Sequence, residues 1–426
     1  MEDLLSSTTL TQRQQEAAAR LEGLGTLVVW SGTPVTIPGG QDQVYPFHAH
    51  PEYYWLTGSR RSGGALVLHE GRWTHYARPV TEEEALWEGG TPSSAGPDVA
   101  GLPDWLAAHA PSATHLGAPP MEFASRATSA LGEDARQRLD TLRRPKDADE
   151  LALMERAVAA TAAGHAALRG ALAPGVSERE LQIVLEAATF RAGAERMGYG
   201  TIVGFGSNAA VLHFTPSERR ADADELVLVD AGGAIAGYTA DVTRTWPVSG
   251  TFSARQRAIY DVVRESNRLG VALCVPGAEW HEVHRRCAGV LAEGLADLGL
   301  LRVGVEEALA SEAIALFMPH GIGHMVGLGV RDVGGKAPGR EVTGMCCGVR
   351  VRVDLPLEPG YIMTVEPGLY FVPGLLDDPI RRERFAREVD WEAVDRWRSV
   401  GGVRIEDDVL VTEASPRNLT GDIAYA

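Results

Sequence analysis

Acidic residues end several of the most apolar segments of this chain, and this pattern restricts how those segments can pack. The segment LVLVD is typical of a buried strand that ends at Asp230, and AGG directly after it interrupts the strand. The segment YTADVTRTW (residues 238–246) predicts a second strand, and a turn centred near residue 235 would place Asp230 opposite Asp241. Because directly opposed like charges destabilise a sheet, these two carboxylates need a cation unless both lie in solvent at the strand ends.

Three further segments extend this pattern. The apolar run IMTV is followed closely by Glu366, and GGVRIEDDV places Glu406 after another apolar segment. The segment MPHGIGH places His320 and His324 among glycines, where an imidazole is a good candidate for a metal ligand. Carboxylates and one histidine on different strand ends therefore predict a site for two divalent ions, which suits hydrolysis. Ligands that are mostly oxygen atoms favour a hard ion such as Mn²⁺ over structural zinc.

The charge and the composition exclude several classes of function. The 426-residue chain has 40 Lys and Arg residues against 57 Asp and Glu residues, a formal net charge of −17, so it lacks the basic surface of a nucleic-acid-binding protein. No apolar run approaches the ~20 residues that cross a bilayer, and the N-terminal segment lacks the features of a signal peptide. The four cysteines form no CxxC pair, which predicts reduced thiols. We therefore expect a cytoplasmic protein that binds neither nucleic acid nor membrane.

The segment LRRPKD (residues 142–147) predicts a boundary between two domains. Before it, short strands alternate with helical segments, which is typical of a small α/β domain over residues 1–142. After it, Pro145 is placed to occupy the first turn of a helix whose apolar residues repeat at helical spacing over residues 151–172. Strand-like segments between the later helices predict an α+β domain over residues 143–426.

Five segments resemble, in order, the motifs of the pita-bread metallopeptidase family, within its Xaa-Pro dipeptidase (prolidase) and aminopeptidase P group. The motifs are VDAGG, TADVTRTW, MPHGIGH, TVEPGLY and GGVRIEDDV, and YPFHAHPEYYWLTG is similar to part of the amino-terminal domain of that family. The resemblance implies an α+β pita-bread catalytic domain after a smaller N-terminal α/β domain of the creatinase/prolidase type. It also implies a homodimer that hydrolyses Xaa-Pro bonds in small peptides.

The resemblance also implies roles for individual residues. Asp241 and Glu406 would bridge two divalent metal ions. Asp230 would hold one of these ions, and His324 with Glu366 would hold the other. When bound, such ions lower the pKa of water so that it can attack a carbonyl. Mn²⁺ is the expected ion, with Co²⁺ or Zn²⁺ as alternatives. The expected catalytic residues are Glu366, as the partner for the water proton, together with His213, which faces the substrate, His320 and Tyr370.

Two features bear on the length of the substrate. The long segment over residues 370–401 resembles that of bacterial prolidases, and Arg352 lies where prolidases bind the carboxylate of a dipeptide. A guanidinium suits this role because it can donate two parallel hydrogen bonds to one carboxylate. Arg404 is a further expected substrate contact. These features favour a dipeptidase, whereas Trp87 and Arg136 in the amino-terminal half favour the alternative, an aminopeptidase P that acts on longer peptides.

One position departs from the pattern of the family. Seven residues after His324 the family has a second histidine that faces the substrate, but this chain has Arg331. Arginine is permanently charged and cannot act as a neutral hydrogen-bond partner, so we expect Arg331 to contact the substrate and to change its selectivity while hydrolysis is kept. Two alternatives stay open: a surface role for Arg352, with Arg350 as its competitor, and a protein of this fold that binds peptides without cleaving them.

Overall fold

A computed structural model describes residues 5–89, 96–123, 129–337, 340 and 344–426. The chain divides into two compact units, residues 1–143 and residues 144–426. Among the described helices, none combines the length and the apolar character that a membrane span requires.

The first unit is built around a four-stranded mixed sheet. Its strands lie in the order Arg72–Tyr76, Ala65–His69, Leu27–Trp30 and Thr114–Gly117, with the last pair parallel and the others antiparallel. Glu70 and Gly71 have φ angles of 49° and 74°, as a two-residue hairpin turn with two positive φ angles requires. The described helices of this unit are Ser7–Arg20, Pro51–Thr57, Glu82–Glu88, Leu102–His109 and Ala130–Arg143, with 3₁₀ turns at Val99–Gly101 and Met121–Phe123.

The second unit combines long helices with several short, mostly antiparallel sheets, which confirms the predicted α+β class. Its described helices are Ala148–Ala171, Glu178–Arg191, Ala254–Ala272, Trp280–Asp297, Val305–Ala310, Pro373–Leu376, Pro379–Arg384 and Trp391–Trp397, with 3₁₀ turns at Gly206–Ala210, Ala313–Leu316 and Arg398–Val400. Its described strands are Arg196–Met197, Ile202–Phe205, Leu226–Asp230, Gly233–Ile235, Tyr238–Thr239, Thr243–Pro247, Gly335–Lys336, Met345–Cys346, Val349–Arg350, Val353–Asp354, Ile362–Val365, Gly368–Tyr370, Gly402–Arg404, Asp407–Leu410 and Arg417–Asn418.

The first helix of this unit begins later than the sequence predicts. Asp147 is its N-cap, since its side chain accepts a hydrogen bond from the amide of Glu150 at 2.9 Å. The carboxylate of Glu150 in turn accepts from the amide of Asp147 at 3.2 Å. This reciprocal capping box gives partners to two amides that would otherwise lack them, so the helix starts at Ala148. The prediction that Pro145 occupies its first turn is therefore wrong.

The strand that ends at Asp230 pairs with a different register from the predicted one. Asp230 lies opposite Thr243 rather than Asp241. A separate hairpin intervenes, in which Gly233–Ile235 pairs with Tyr238–Thr239. Because the turn of this hairpin is centred between residues 236 and 237 instead of near 235, the pairing shifts by two residues. Asp241 consequently lies in the gap between the two strands that follow the turn.

Two other carboxylates lie where an antiparallel pair of strands is interrupted on both sides. Ile362–Val365 pairs with Asp407–Leu410, and Gly368–Tyr370 pairs with Gly402–Arg404. Glu366 and Glu406 each lie between two such segments. The two glutamates therefore come from neighbouring breaks in the same ladder, although 39 positions lie between them in the sequence.

The helix Ala254–Ala272 packs closely against the strand that leads to Glu366. The side-chain amide of Asn267 donates to the carbonyl of Val365 at 3.1 Å. A Cβ atom added to Gly270 would lie only 2.6 Å from Cγ1 of Val365, so this contact depends on the absence of a side chain. The backbone that precedes Glu366 is thus held by both a hydrogen bond and close packing.

Candidate metal centre

Four carboxylates and a histidine line one cavity of the second unit, with a volume of about 660 Å³. Four of the five residues are at most 8% exposed, and the side chain of Glu366 is 18% exposed. These are the five residues that the motifs predicted as metal ligands: Asp230, Asp241, His324, Glu366 and Glu406.

His324 has the orientation of a metal ligand. Its Nδ1 lies 3.0 Å from the carbonyl oxygen of Met325 and donates to it, so the neutral ring presents the lone pair of Nε2. Nε2 lies 3.5 Å from Oδ2 of Asp241 and 3.8 Å from Oε1 of Glu366. Burial lowers the pKa of His324 to about 4, so the ring is uncharged at neutral pH. A lone pair that faces two carboxylates is repulsive unless a cation lies between them.

The carboxylates also oppose one another. One ligand atom each of Asp241, His324 and Glu406 lie within 4.8 Å of one another. Burial first, and then the charge of Asp230, raises the pKa of Asp241 well above its usual range. Burial and the charge of Asp241 do the same for Glu406, and burial raises the pKa of Glu366 to about 7. Two divalent cations would compensate this concentration of negative charge, so the residues present fit a dinuclear site.

Tyr199 belongs to the site, although the sequence analysis missed it. Its hydroxyl donates to Oδ1 of Asp230 at 2.6 Å. The strand Ile202–Phe205 pairs with the strand that ends at Asp230, and Ile202 lies directly opposite Asp230. In the sequence, Tyr199 is only a tyrosine three residues before a strand. Its contact with Asp230 becomes visible only when the two strands are paired.

Two more polar residues hold the pair of predicted bridging ligands. The hydroxyl of Thr243 donates to Oε2 of Glu406 at 2.6 Å. A carboxylate oxygen of Asp408 accepts from the amide of Asp241 at 3.0 Å. Such outer contacts fix the orientation of ligands and tune their affinity for the metal.

Arg404 donates hydrogen bonds to three other residues of the site. It donates from Nη2 to Asp230 at 2.5 Å, from Nη1 to the Tyr370 hydroxyl at 2.9 Å and from Nε to the Thr243 hydroxyl at 3.0 Å. Arg404 lines the cavity, but it is buried and each of its guanidinium nitrogens already has a protein partner. These contacts favour a positioning role for Arg404, and its predicted contact with the substrate stays a prediction.

His320 and Tyr370 continue the series of hydrogen bonds that starts at Arg404. Nδ1 of His320 donates to the carbonyl of Gly321 at 2.8 Å, so Nε2 accepts from the Tyr370 hydroxyl at 2.9 Å. Burial, followed by the charge of Arg404, lowers the pKa of His320 to about 3 and keeps the ring neutral. Tyr370 thus accepts from Arg404 and donates to His320, which fixes its hydroxyl beside two residues that line the cavity.

The remaining predicted residues are exposed on the wall of the same cavity. His213, Arg331 and Arg352 all line it. Arg350 lies on the wall as well. The structure therefore brings the predicted site residues other than Tyr370 to one cavity of the second unit, and the Tyr370 hydroxyl contacts two of them, His320 and Arg404.

A second group of potential ligands, His284, Cys346 and Cys347, lies outside this cavity. Nδ1 of His284 accepts a hydrogen bond from the amide of Ile322 at 3.2 Å. The proton of the neutral ring is therefore on Nε2, which makes that atom a donor and not a metal ligand. This group consequently does not have the tautomer that a metal site needs.

The sequence matches two described families over most of its length. Metallopeptidase family M24 matches residues 152–413, and the aminopeptidase P N-terminal domain matches residues 10–97. A probable Xaa-Pro aminopeptidase of Tuber melanosporum (strain Mel28) is 30% identical over 389 residues, which are 89% of this chain and 85% of that protein. A probable Xaa-Pro aminopeptidase of Coccidioides posadasii (strain RMSCC 757 / Silveira) is 30% identical over 429 residues, which are 94% and 90% of the two chains.

Solved structures of similar proteins cover nearly the whole chain. Aminopeptidase PepP of Pseudomonas aeruginosa has a TM-score of 0.81 at 28% identity, and the match covers 99% of this chain and 96% of that one. Aminopeptidase P of Escherichia coli with the inhibitor Pro-Leu has a TM-score of 0.82 at 27% identity and the same coverage. A zinc-substituted form of the Escherichia coli protein in complex with product gives a TM-score of 0.81.

Proposed function

Because the chain belongs to metallopeptidase family M24, the pita-bread metallopeptidases, we propose that it hydrolyses Xaa-Pro peptide bonds with the help of two divalent metal ions. The observation that carries this proposal is the lone pair of His324 Nε2, which faces Asp241 at 3.5 Å and Glu366 at 3.8 Å. A neutral imidazole among buried carboxylates is a cation site, and a cation site in a cavity suits a metal-dependent hydrolase. The names of the relatives support Xaa-Pro peptides as the substrate.

In this proposal Asp241 and Glu406 would help to hold both ions, Asp230 would help to hold one, and His324 with Glu366 would help to hold the other. When bound, the ions would polarise the carbonyl of the peptide bond and lower the pKa of a water molecule. We propose Mn²⁺ because four of the five ligands are carboxylates, with Co²⁺ or Zn²⁺ as alternatives.

The side chains of the protein orient the substrate and accept the proton. Glu366 is the carboxylate that takes the proton of the attacking water. His213 bonds the substrate from the cavity wall, and the Tyr370 hydroxyl is fixed by Arg404 and His320. Since the nitrogen of a proline peptide bond has no N–H to recognise, selectivity for proline depends on shape. Leu212, Phe214 and Val330 offer apolar surface for the pyrrolidine ring and also line the cavity.

Peptides longer than two residues are the preferred substrate in this proposal. The similar proteins are named Xaa-Pro aminopeptidases, which favours the aminopeptidase alternative over the dipeptidase that residues 370–401 and Arg352 predicted. Cleavage of dipeptides is the second candidate. It is favoured by the exposed guanidiniums of Arg331 and Arg352 on the cavity wall, which suit a free carboxylate.

Metal replacement combined with two substrate lengths tests the function. The protein is stripped with a chelator, reloaded with Mn²⁺, Co²⁺ or Zn²⁺, and assayed with Ala-Pro-Ala, Ala-Pro and the control Ala-Ala-Ala. We expect Mn²⁺ to restore release of the first residue from Ala-Pro-Ala but not from Ala-Ala-Ala. Cleavage that does not depend on metal would contradict the class of enzyme. Cleavage of Ala-Pro alone would contradict the preference for longer peptides.

The oligomeric state is a separate proposal. We propose a homodimer, as the resemblance to the family implies. Light scattering of the purified protein tests this, because a single species at the chain mass of 45.6 kDa would contradict a dimer.

A further inference from the structure

We propose that Cys346 and Cys347 form a dithiol site that a hydroperoxide oxidises to a disulfide between the two neighbouring residues. Both thiols lie outside the cavity of the metal centre, so their chemistry is independent of the proposed function. The sequence predicts reduced thiols, and all four cysteines are free in the structure. The reduced pair is therefore the starting state, and the ligand of the site is a small hydroperoxide.

The first observation is the distance between the two sulfur atoms. Sγ of Cys346 lies 3.8 Å from Sγ of Cys347, within the range of a sulfur hydrogen bond. Successive side chains of an extended strand point to opposite faces, so a regular strand holds neighbouring thiols apart. The strand Met345–Cys346 ends directly before Cys347. A change of backbone conformation at Cys347 therefore brings the two thiols together.

A two-residue hairpin turn produces this change. Cys346 pairs with Val349, so Cys347 and Gly348 form the turn, and their φ angles are 51° and 83°. Hairpins favour a turn with two positive φ angles, but glycine, asparagine or aspartate usually occupies its first position. A cysteine in the left-handed region is strained, and strained positions are concentrated at functional sites. The turn thus places a strained, reactive side chain beside a second thiol.

Packing holds the turn, and with it the two thiols, in place. A Cβ atom added to Gly348 would lie 2.7 Å from Cβ of Glu312 and 3.0 Å from Cβ of Ala315, so the turn lies directly against this segment. Beyond the paired residues, the amide of Val351 donates to the carbonyl of Gly344 at 2.6 Å. The two sulfur atoms are thus already positioned, and they lose little freedom when they bond to each other.

The surroundings give the two thiols different roles. Both are half-buried, which leaves access for a small reagent. The hydrogen bond from Cys347, together with the charge of Arg285, lowers the pKa of the Cys346 thiol. The same hydrogen bond and burial raise the pKa of Cys347, which keeps its proton. Because the thiolate is the nucleophile, Cys346 is the sulfur that attacks and Cys347 is the one that completes the disulfide.

The other two cysteines of the chain differ in both respects. Cys274 and Cys287 are fully buried. Burial raises the pKa of Cys287 to about 12 and raises the pKa of Cys274 as well. Buried, protonated thiols are inert. These two residues are therefore an internal control for any reagent that reacts with the pair.

The oxidation takes place in two steps. The Cys346 thiolate attacks one oxygen of the hydroperoxide, the O–O bond breaks, and Cys346 becomes a sulfenic acid. The oxygen that leaves takes a proton from solvent. Sγ of Cys347 then attacks the sulfenic sulfur and forms the S–S bond, and the hydroxyl of the sulfenic acid leaves as water with the proton of Cys347. The two sulfur atoms together lose two electrons, which reduce the peroxide.

The disulfide should be easily reduced, because its residues are adjacent. Neighbouring Cα atoms are about 3.8 Å apart, whereas disulfides usually join Cα atoms at least about 4.4 Å apart. Strained disulfides of this kind are labile and are typical of reversible modification. The strand opposite the thiols carries Arg350, which lines the cavity. Reversible oxidation would therefore act on a hairpin that reaches the wall of the metal centre.

Peroxide treatment followed by peptide mapping tests the site. The purified protein is treated with hydrogen peroxide, its remaining thiols are alkylated after denaturation, and its peptides are analysed by mass spectrometry. We expect the peptide that contains both Cys346 and Cys347 to lose two hydrogen atoms and to regain them with dithiothreitol. Cys274 and Cys287 should be fully alkylated. Equal oxidation of all four thiols would overturn the proposal, and so would a pair that remains fully alkylated.

Serine variants separate the two roles. In Cys347→Ser we expect a sulfenic acid at Cys346, which dimedone traps, and no disulfide. In Cys346→Ser we expect neither the disulfide nor a comparable dimedone adduct. An equal adduct in the two variants would contradict the assignment of Cys346 as the attacking thiol.

Phenylarsine oxide measures the pairing without an oxidant, because it bonds to two neighbouring thiols and releases water. We expect the wild type to bind one equivalent in the presence of a monothiol, and each serine variant of the pair to lose this binding. Cys274→Ser is the matched control, since it removes a thiol outside the pair and should bind as the wild type does. Binding that survives in Cys346→Ser or Cys347→Ser would overturn the dithiol site.

Discussion

His324 presents Nε2 to Oδ2 of Asp241 at 3.5 Å, while its Nδ1 proton is bonded to the carbonyl of the next residue. This orientation is favourable only when a cation lies between the two side chains. Without metal, the buried carboxylate of Asp241 opposes the fold. Removal of that carboxylate should therefore stabilise the metal-free protein and weaken the stabilisation that metal binding gives.

Asp241→Asn tests this relationship. Burial and the charge of Asp230 raise the pKa of Asp241 above its ordinary value of 3.8, so the folded protein binds this proton more tightly than the unfolded chain. The metal-free fold then loses stability as the pH rises, and the asparagine variant lacks this loss. We expect the variant to raise the Tm of the metal-free protein, more at pH 7.5 than at pH 5. We also expect it to lose the Tm increase that Mn²⁺ gives the wild type in thermal unfolding.

Asp407→Asn is the control, for which we expect a loss of stability instead of a gain. Asp407 is also buried, which raises its pKa, but the charge of Arg244 and hydrogen bonds outweigh burial and lower it. Nη2 of Arg244 donates to Oδ1 of Asp407 at 2.8 Å. Because removal of one member of a buried ion pair leaves the other unpaired, we expect a loss of about 3 kcal/mol. The same direction of change in both variants would contradict this interpretation of the carboxylates.

Tyr199→Phe tests the outer residue that the sequence analysis missed. The substitution removes the hydrogen bond to Oδ1 of Asp230 and the interaction of the same hydroxyl with Asp241. Partners of this kind typically change metal affinity or activity by about 10- to 100-fold, so we expect weaker Mn²⁺ binding by calorimetry and a lower kcat/KM. Tyr260→Phe removes a hydroxyl that bonds only the amide of Ala426 among the described contacts and should leave Mn²⁺ binding unchanged. Unchanged affinity in Tyr199→Phe would show that Asp230 does not need this partner.

The predicted ligands could be found from sequence because strand ends carry a strong signal. Asp230, Glu366 and Glu406 follow or interrupt apolar runs, and a carboxylate in that position is costly unless it is coordinated. The pairing of Asp230 could not be found in the same way. It depends on a turn in which Ala236 has a φ of 54°, a conformation that nothing about alanine predicts.

The roles of Tyr199 and Arg404 depended on contacts that only the fold reveals. The position of Tyr199 follows from a strand pairing between segments 28 residues apart, Ile202 with Asp230. Arg404 lies in a recognisable motif, but the motif does not show that its guanidinium donates hydrogen bonds to three protein acceptors. Residue type and spacing therefore predicted which side chains meet, but not which of them are still free to bind a substrate.

Arg404→Lys distinguishes positioning from substrate binding. Lysine keeps the charge but cannot reach Asp230, Tyr370 and Thr243 at once, as the planar guanidinium does. We expect kcat to fall by about 10-fold or more and metal content to decrease, with a smaller change in KM. A rise in KM at unchanged kcat and metal content would support direct substrate contact instead.

His165→Gln tests how much stability the second unit loses as the pH falls. His165 is fully buried, its Nε2 lies 3.1 Å from the carbonyl of Ala231, and burial lowers its pKa to about 4. Between its ordinary pKa of 6.5 and about 4, the unfolded chain binds a proton that the folded protein does not, so stability falls as the pH falls. From pH 7.5 to pH 5 this one group should cost about 2 kcal/mol. Urea unfolding of His165→Gln should show a smaller loss over that range than the wild type. His109→Gln, an exposed site in the first unit, should leave the loss unchanged, and equal pH dependence in all three proteins would contradict the assignment to His165.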